Sequence, residues 1–428
     1  MAMKESGIEW VGLIPDDWKI AKNNRLFNIS KQLVNENWKN TQLLSLTKGG
    51  IIEKNINDGG GKQPESFGTY QYVEKDDIVL CLFDIDVSAV FSDRSKYDGM
   101  ISPAYRVMKC TDAILPVYAK WWFDAVNIGR YYLIYTKSLR KTIDADGFGN
   151  ILTVVPPLSE QQAIADYLDE TCSKIDEIIA EAKASIDEYE NLRQSIICEI
   201  LTKGLDNNVE MKDSSVEWIG KVPSHWMIGK VKYGTTKVGS GKTPKGGAEV
   251  YTTSGVMFLR SQNIYNDGLR LDNPYYISEE IDEEMKNTRV QKNDVLLNIT
   301  GGSIGRCCIF DGSIPNANVN QHVCIIRVDP VVFLPEYMHL FWISPIGQIS
   351  IKLYQTGGNR EGMSAEAIKN TPIPIISIAE QRRIVDFIKP KIEYFNVLIA
   401  EKESLINDLE AYKKSLIYEV VTGKRRVV

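Results

Sequence analysis

Two stretches of the chain carry apolar residues at a helical period over an unusual length. In the first, Ile175, Ile178, Ala182, Ile186, Tyr189, Leu192, Ile196 and Ile200 step by 3 or 4, the seam of a coiled coil. A shift of 220 gives Phe395, Leu398, Lys402, Ile406, Leu409, Tyr412, Leu416 and Val420, where Lys402 alone breaks the apolar pattern. Each segment lacks internal proline and glycine and ends near a glycine stop, at Thr202-Lys203-Gly204 and at Thr422-Gly423. Pro390 is expected to separate a short leading helix from the long one in the second stretch. About 30 residues at roughly 1.5 Å each make a rod of about 45 Å. Two amphipathic helices packed on separate cores would show the same period. Matched registers at an ungapped shift favour their pairing with each other.

The regions ahead of these helices, roughly 20–155 and 230–375, read as mixed α/β globules. "DDIVLCLF" (76–83) and "NDVLLNIT" (293–300) are short buried strands after a polar turn. "LPVYAKWWFDAV" (115–126) and "LPEYMHLFWISP" (334–345) are helices opened by a proline in the first turn.

The correspondence extends to motifs. "SGIEWVGLIPDDWKIAK" at 6–22 returns as "SSVEWIGKVPSHWMIGK" at 214–230, shifted by 208, so that Trp10, Gly12, Pro15 and Trp18 match Trp218, Gly220, Pro223 and Trp226. "PPLSEQQAIADYLD" (156–169) returns around "PIISIAEQRRIVDFIKP" (374–390), with Glu160-Gln161 and Ile164 matching Glu380-Gln381 and Ile384 at a shift of 220. The chain is a duplication whose second copy holds about twelve more residues between the two motifs. Between these anchors the copies diverge, "GGGKQPESFGTYQYV" standing against the longer "YISEEIDEEMKNTRV".

Composition sets bounds on this picture. With 428 residues, 43% hydrophobic and 25% charged, the chain has material for two or three soluble domains. No run of about 18 apolar residues and no apolar N-terminal stretch points to a membrane span or a secretory signal. The seven cysteines show no CxxC pair, which argues against zinc or a disulfide framework and fits a reducing cytoplasm. The net charge of −6 is concentrated: residues 156–213 carry 5 basic against 14 acidic side chains, while 1–155 carry 19 of each. The globules can therefore present basic surfaces to a polyanion although the chain as a whole is acidic.

Four motifs offer chemistry and lose it on inspection. "VGSGKTPKGG" (238–247) ends like a phosphate-binding loop, but Thr236 stands where the first glycine is required, and Gly246-Gly247 would stop the helix that must follow. "GGSIG" (301–305) fits a nucleophile elbow at Ser303, yet a strand follows it rather than a helix, and none of the three histidines is marked as its base. "NPYY" (273–276) lacks the second proline of an adenine-gripping methyltransferase motif and has no glycine-rich cofactor loop beside it. Glu181-Ala182-Lys183 has nuclease-like spacing but lies on the heptads as a solvated helix face. No catalytic constellation and no metal site remain.

What is left is a set of glycine-rich polar loops with interleaved cations. Freed backbone amides with Lys, Arg, Ser and Thr suit DNA phosphates. Arg, Gln and Asn suit base edges in the major groove. The candidates are Lys62 and Gln63 in "GGGKQPESFGTYQ", Arg140 and Lys141 in "SLRKT", and Lys242 and Thr243 in "VGSGKTPKGG". Arg260 and Asn263 in "LRSQN", Arg306 in "TGGSIGR", Gln321 in "NQH" and Arg360 in "TGGNR" complete them. Any one of these loops alone reads as a solvent-exposed turn. Recurrence at matched places, as at Arg140 and Arg360, strengthens the set.

On these features the chain resembles the type I restriction–modification specificity subunits over essentially its whole length. The twice-written "EWxGxxPxxW", the twice-written "P…EQ…I" and "VGSGKTPKGG…FLRSQNI" with "NDVLLNITGGSIGR" carry the resemblance. It implies duplicated α/β (α+β) target recognition domains at 1–155 and 206–375, with conserved helical regions at 156–205 and 376–428. The two long helices between them would form an antiparallel coiled coil, in a pseudo-twofold symmetric arrangement. Each recognition domain would read one half of a bipartite, asymmetric site on double-stranded DNA. The implied partners are two modification (adenine methyltransferase) subunits and restriction/translocase subunits, with no membrane. No cofactor is expected on this chain; adenosylmethionine, ATP and Mg would belong to the partners. The expected role is therefore non-catalytic. A stand-alone DNA-modifying enzyme, a fused methyltransferase or nuclease, is the alternative from a different class, and a solitary binding subunit without a modification partner is a third.

Overall fold

The structure, a computed structural model, describes residues 2–56, 66–87, 91–136, 140–355 and 362–427. The chain divides into two compact units, Met1–Lys183 with Glu403–Val428 and Ala184–Lys402. Each unit holds one globule together with a part of each long helix.

In the first unit an antiparallel sheet runs in the order Phe27–Ser30, Arg106–Cys110, Ile78–Leu80, Ser92–Arg94. A second sheet runs Gly50–Lys54, Leu43–Thr47, Gly99–Ile101, Gln71–Val73, with its central pair parallel. The second unit repeats the design. Its antiparallel sheet is Thr235–Ser240, Val323–Val328, Val295–Asn298, Cys307–Ile309. Its smaller sheet is Tyr276–Ile277, Val256–Leu259, Ala317–Val319, again with a parallel pair.

The two strands expected from "DDIVLCLF" and "NDVLLNIT" lie inside the antiparallel sheets, and their unbroken apolar runs have a packing cause. Ile78 and Leu80 enter one apolar cluster while Val79 enters another. Val295 and Leu297 likewise part from Leu296. Side chains alternate across a strand, so burial on both faces requires apolar residues at every position. The preceding turns match as well. Asp76 and Asn293 adopt left-handed φ of 74° and 72°, and Asp77 and Asp294 accept the backbone N–H three residues earlier at 2.9 and 2.7 Å.

The repeated motifs are joints. Lys19–Lys22 pairs with Leu152–Val155, and Met227–Lys230 pairs with Pro372–Ile375, setting each tryptophan motif beside the start of a long helix. Trp18 Nε1 donates to Glu160 and Trp226 Nε1 to Glu380, both at 2.9 Å. Gln161 is fully buried; its oxygen accepts from Leu115 N (2.7 Å) and its amide donates to the carbonyls of Ala113 and Pro156. Gln381 makes the same three bonds with Leu334 N (2.8 Å), Val332 and Ile376. Leu115 and Leu334 are the cap residues of the proline-led helices Pro116–Ile128 and Pro335–Ile343. A buried glutamine thus satisfies an orphan N–H at each helix start.

The long helices are Leu158–Lys203 and Ile378–Val421, 46 and 44 residues, about 69 and 66 Å at ~1.5 Å per residue. They exceed the 30 residues expected from the heptads because the Glu-Gln motifs are themselves helical. Pro390 corrects another expectation. It lies inside the second helix and does not divide it. It sits on the exposed face between exposed Lys389 and Lys391, where water can take the carbonyl that its missing N–H leaves free.

Inside the first unit, Cys172, Ile175 and Ile179 share a core with Leu416, Ile417 and Val420. Asp176 holds Lys413 at 2.6 Å and Glu160 holds Arg426 at 2.7 Å, so the helices run antiparallel. Inside the second unit, Ile197 and Leu201 share a core with Ile384, Val385 and Ile388, and Arg193 bonds Asn396 at 2.6 Å. The seam differs by one residue in places. Ile178 and Leu192 are 44% and 51% exposed, while Ile179 is 8% exposed and Arg193 half-buried. Among the described residues no helix is long and apolar enough to cross a membrane.

Candidate nucleic-acid interface

The loops singled out in the second copy converge at one end of its sheets. Gly241 N donates to the Val323 carbonyl (3.0 Å) and Lys242 N to that of Val319 (3.2 Å). Asn320 N donates to the Leu259 carbonyl (3.0 Å). The buried Asn298 closes the strand end, its Nδ2 donating to the Ser261 carbonyl (2.8 Å) and to Ser303 Oγ (3.1 Å). Four segments far apart in sequence, 238–247, 259–265, 300–306 and 320–322, become one linked group of loops.

Gly241 explains the apparent phosphate-binding motif. A Cβ there would lie 2.0 Å from the Val319 carbonyl oxygen and 2.4 Å from that of Asn320. Glycine is required by close backbone approach. The Gly-Lys-Thr run directly follows the edge strand Thr235–Ser240, and its glycine serves backbone packing.

Side chains on this group fall into two kinds. Arg327 spends its guanidinium on buried Asp294 at 2.7 and 2.8 Å, and Arg289 on Asp282 and Glu283. These cations are structural. Arg260 lies 4.5 Å over the Tyr275 ring and reaches Gln262 at 2.8 Å. Arg306 lies 4.5 Å over the Tyr265 ring, which Arg270 also faces at 5.2 Å. Among the described residues no carboxylate pairs with Arg260, Arg306 or the exposed Lys242 and Lys245. Guanidiniums stacked on tyrosines keep their N–H forks in plane and available to phosphate or guanine.

A chain of polar side chains crosses the same loops. Thr243 Oγ1 donates to Gln321 Oε1 (2.5 Å), Gln321 Nε2 meets His322 Nε2 (2.9 Å), and His322 Nδ1 meets Thr300 Oγ1 (2.5 Å).

Asn263 requires a correction. It is buried, its oxygen accepts from Arg260 N (2.9 Å) and its amide donates to the Arg270 carbonyl (2.7 Å). It holds the turn that presents Arg260 and has no free edge for a base. In the first unit, Arg140 and Lys141 are exposed, and their carbonyls accept from Asp84 N (2.9 Å) and Ile85 N (3.4 Å). Lys62, Gln63 and Arg360 lie outside the described residues. Tyr265, Tyr275, Gln262, Thr300 and His322 were not chosen from sequence. For Tyr265 the available signal is its place midway between Arg260 and Arg270, five residues from each.

Comparison with known proteins bears directly on these loops. Residues 224–408 match the family described as "Type I restriction modification DNA specificity domain". The chain is 24% identical over 289 residues to the Escherichia coli type I restriction enzyme EcoBI specificity subunit, covering 64% of this chain and 58% of that relative. It is 22% identical over 318 residues to the MjaVIII specificity subunit of Methanocaldococcus jannaschii, covering 69% and 70%. A solved structure described as the basis of complex assembly and conformational transition of the type I R-M system superposes with a TM-score of 0.72 over 96% of this chain and 99% of its own, at 12% identity. Residues 224–408 thus match a type I restriction modification DNA specificity domain, and the chain is similar to type I specificity subunits. The crystal structure of the HsdS subunit from Thermoanaerobacter tengcongensis shares the fold at a TM-score of 0.50, with 12% identity over 96% and 98% of the two chains. The match spans rather more than half the length of the E. coli relative.

Within this chain the nucleophile-like features have structural roles. "GGSIG" is a turn, Gly301–Ser303, between the antiparallel strands Val295–Asn298 and Cys307–Ile309, and Ser303 Oγ serves Asn298. Burial pushes the Cys308 and Cys324 thiols up to about 12, far from the thiolate that reactivity needs. His339 is held neutral by burial, with Nε2 at the Cys307 carbonyl (2.9 Å). Among the described residues no cluster of His, Cys, Asp and Glu could hold a metal ion.

Proposed function

We propose that this chain reads DNA sequence on behalf of a type I complex and performs no bond chemistry itself. Each globule contacts one half of a bipartite, asymmetric site on double-stranded DNA. The long helices fix the separation of the halves and dock two adenine methyltransferase subunits, which restriction/translocase subunits join. Adenosylmethionine, ATP and Mg are taken up by those partners. The reading rests above all on the linked loops of the second unit, where Arg260 and Arg306 stack on tyrosines without a carboxylate partner. Such forks suit phosphates and guanine edges. Docking is supported by apolar side chains left in solvent along the helices, with Leu192, Tyr394 and Val397 51–62% exposed.

The test is to map methylated adenines across the genome of cells that make the modification partner, with and without this chain. A bipartite asymmetric motif should be methylated when the chain is present and unmethylated when it is absent. A methylation pattern indifferent to the chain would sink the reading. Methyl transfer by the purified chain alone would favour the stand-alone enzyme.

A further inference from the structure

We infer that Gln321 is a base-reading residue for adenine, and that Thr243, His322 and Thr300 are positioning residues that hold its amide at both ends. The inference rests on the DNA-reading role proposed above and names one of its determinants. Gln321 is exposed in the loop 320–322, between the strands Ala317–Val319 and Val323–Val328.

Donor counting gives a self-consistent polarity for the chain. Gln321 Nε2 has two hydrogens and no lone pair, so His322 Nε2, 2.9 Å away, must accept. The imidazole hydrogen then sits on Nδ1 and is donated to Thr300 Oγ1 at 2.5 Å. At the other end the Thr243 hydroxyl donates to Gln321 Oε1 at 2.5 Å. The reverse run, from Thr300 through His322 and Gln321 to Thr243, satisfies the same groups, and in either sense the amide keeps one acceptor and one donor for a base.

Each end of the amide has spent one bond and keeps one. The oxygen retains a lone pair and the nitrogen a hydrogen. An acceptor beside a donor is the pair that adenine takes through N6 and N7 in the major groove. Anchoring both ends holds a flexible side chain in place before DNA arrives and so lowers the ordering cost of reading a base.

The experiment uses the full chain assembled with its modification partner. Methylation by the wild type, Gln321→Ala, Gln321→Glu and the paired variants Thr243→Val and His322→Phe is mapped across a library of duplexes with randomised sites. Thermal unfolding of each chain is measured alongside. In Gln321→Ala, discrimination for adenine at one position of one half-site should fall roughly 5- to 150-fold, with the other half and the spacer unchanged. Gln321→Glu presents acceptors alone and should shift that position toward cytosine, whose N4 donates. Thr243→Val and His322→Phe should relax the same position by less. A role confined to folding would lower methylation at all sequences equally and leave the base preference intact. An unchanged preference in Gln321→Ala and Gln321→Glu overturns the inference while the wild-type motif still upholds the general reading. Uniform loss of methylation from chains that unfold at the wild-type temperature overturns it too. Absence of any chain-dependent motif in the wild type overturns both.

Discussion

The two globules share their joints and differ in their loops. At the joints the copies agree bond for bond: tryptophan to glutamate at 2.9 Å, then a buried glutamine making the same three backbone bonds. Away from the joints they part. The first copy has a 3-10 turn at Asn35–Asn40 ahead of its second sheet, whereas the second copy inserts the helix Glu279–Glu284 and a hairpin at Ile264–Tyr265 and Gly268–Leu269. Buried polar groups tolerate no change of partner, because an abandoned donor or acceptor loses its full solvation. Exposed loops carry no such constraint. A frame of this kind allows recognition to diverge without disturbing the joints.

Four sets of substitutions would break or sharpen that comparison. Gln161→Ala and Gln381→Ala should cost the most, about 3 kcal/mol each, by stranding one N–H and two carbonyls in the core. Denaturant unfolding should give equal losses in the two copies, and a marked inequality would deny that the joints are equivalent. Gly241→Ala should cost about 2 kcal/mol by overpacking against Val319, whereas Gly239→Ala, with nothing within 4 Å, should be neutral. Equal effects would remove the steric account of the Gly-Lys-Thr run. Trp18→Phe and Trp226→Phe should each lose about 1.5 kcal/mol with the bond to a carboxylate. Arg306→Ala should leave unfolding unchanged and weaken DNA binding a few-fold at every sequence. If Arg306 meets a phosphate, the salt dependence of binding should lose about one unit of slope. A loss confined to one base pair would make it a base reader.

Much of the frame was legible in the sequence because it is periodic or repeated. The strands at 78–80 and 295–298 and the proline-led helices needed no tertiary knowledge. The seam was less legible. Ile178 and Ile179 are adjacent and equally apolar, and packing alone decides which is buried. Pro390 misled because its cost depends on whether its face of the helix meets water. The site was half legible. Lys242, Thr243, Arg260, Arg306 and Gln321 do fall on one linked group of loops, but sequence could not show Asn263 turning inward. Nor could it show His322 holding Gln321, since that bond depends on Thr300, which comes from another strand end.

The claim that one frame carries two separate readers is tested most directly by exchange. Residues 235–371 are replaced by the corresponding segment of another family member, and the methylated site is mapped in cells that supply the modification partner. One half of the bipartite site should change while the other half is kept base for base. A change in both halves, or in neither, would contradict the account.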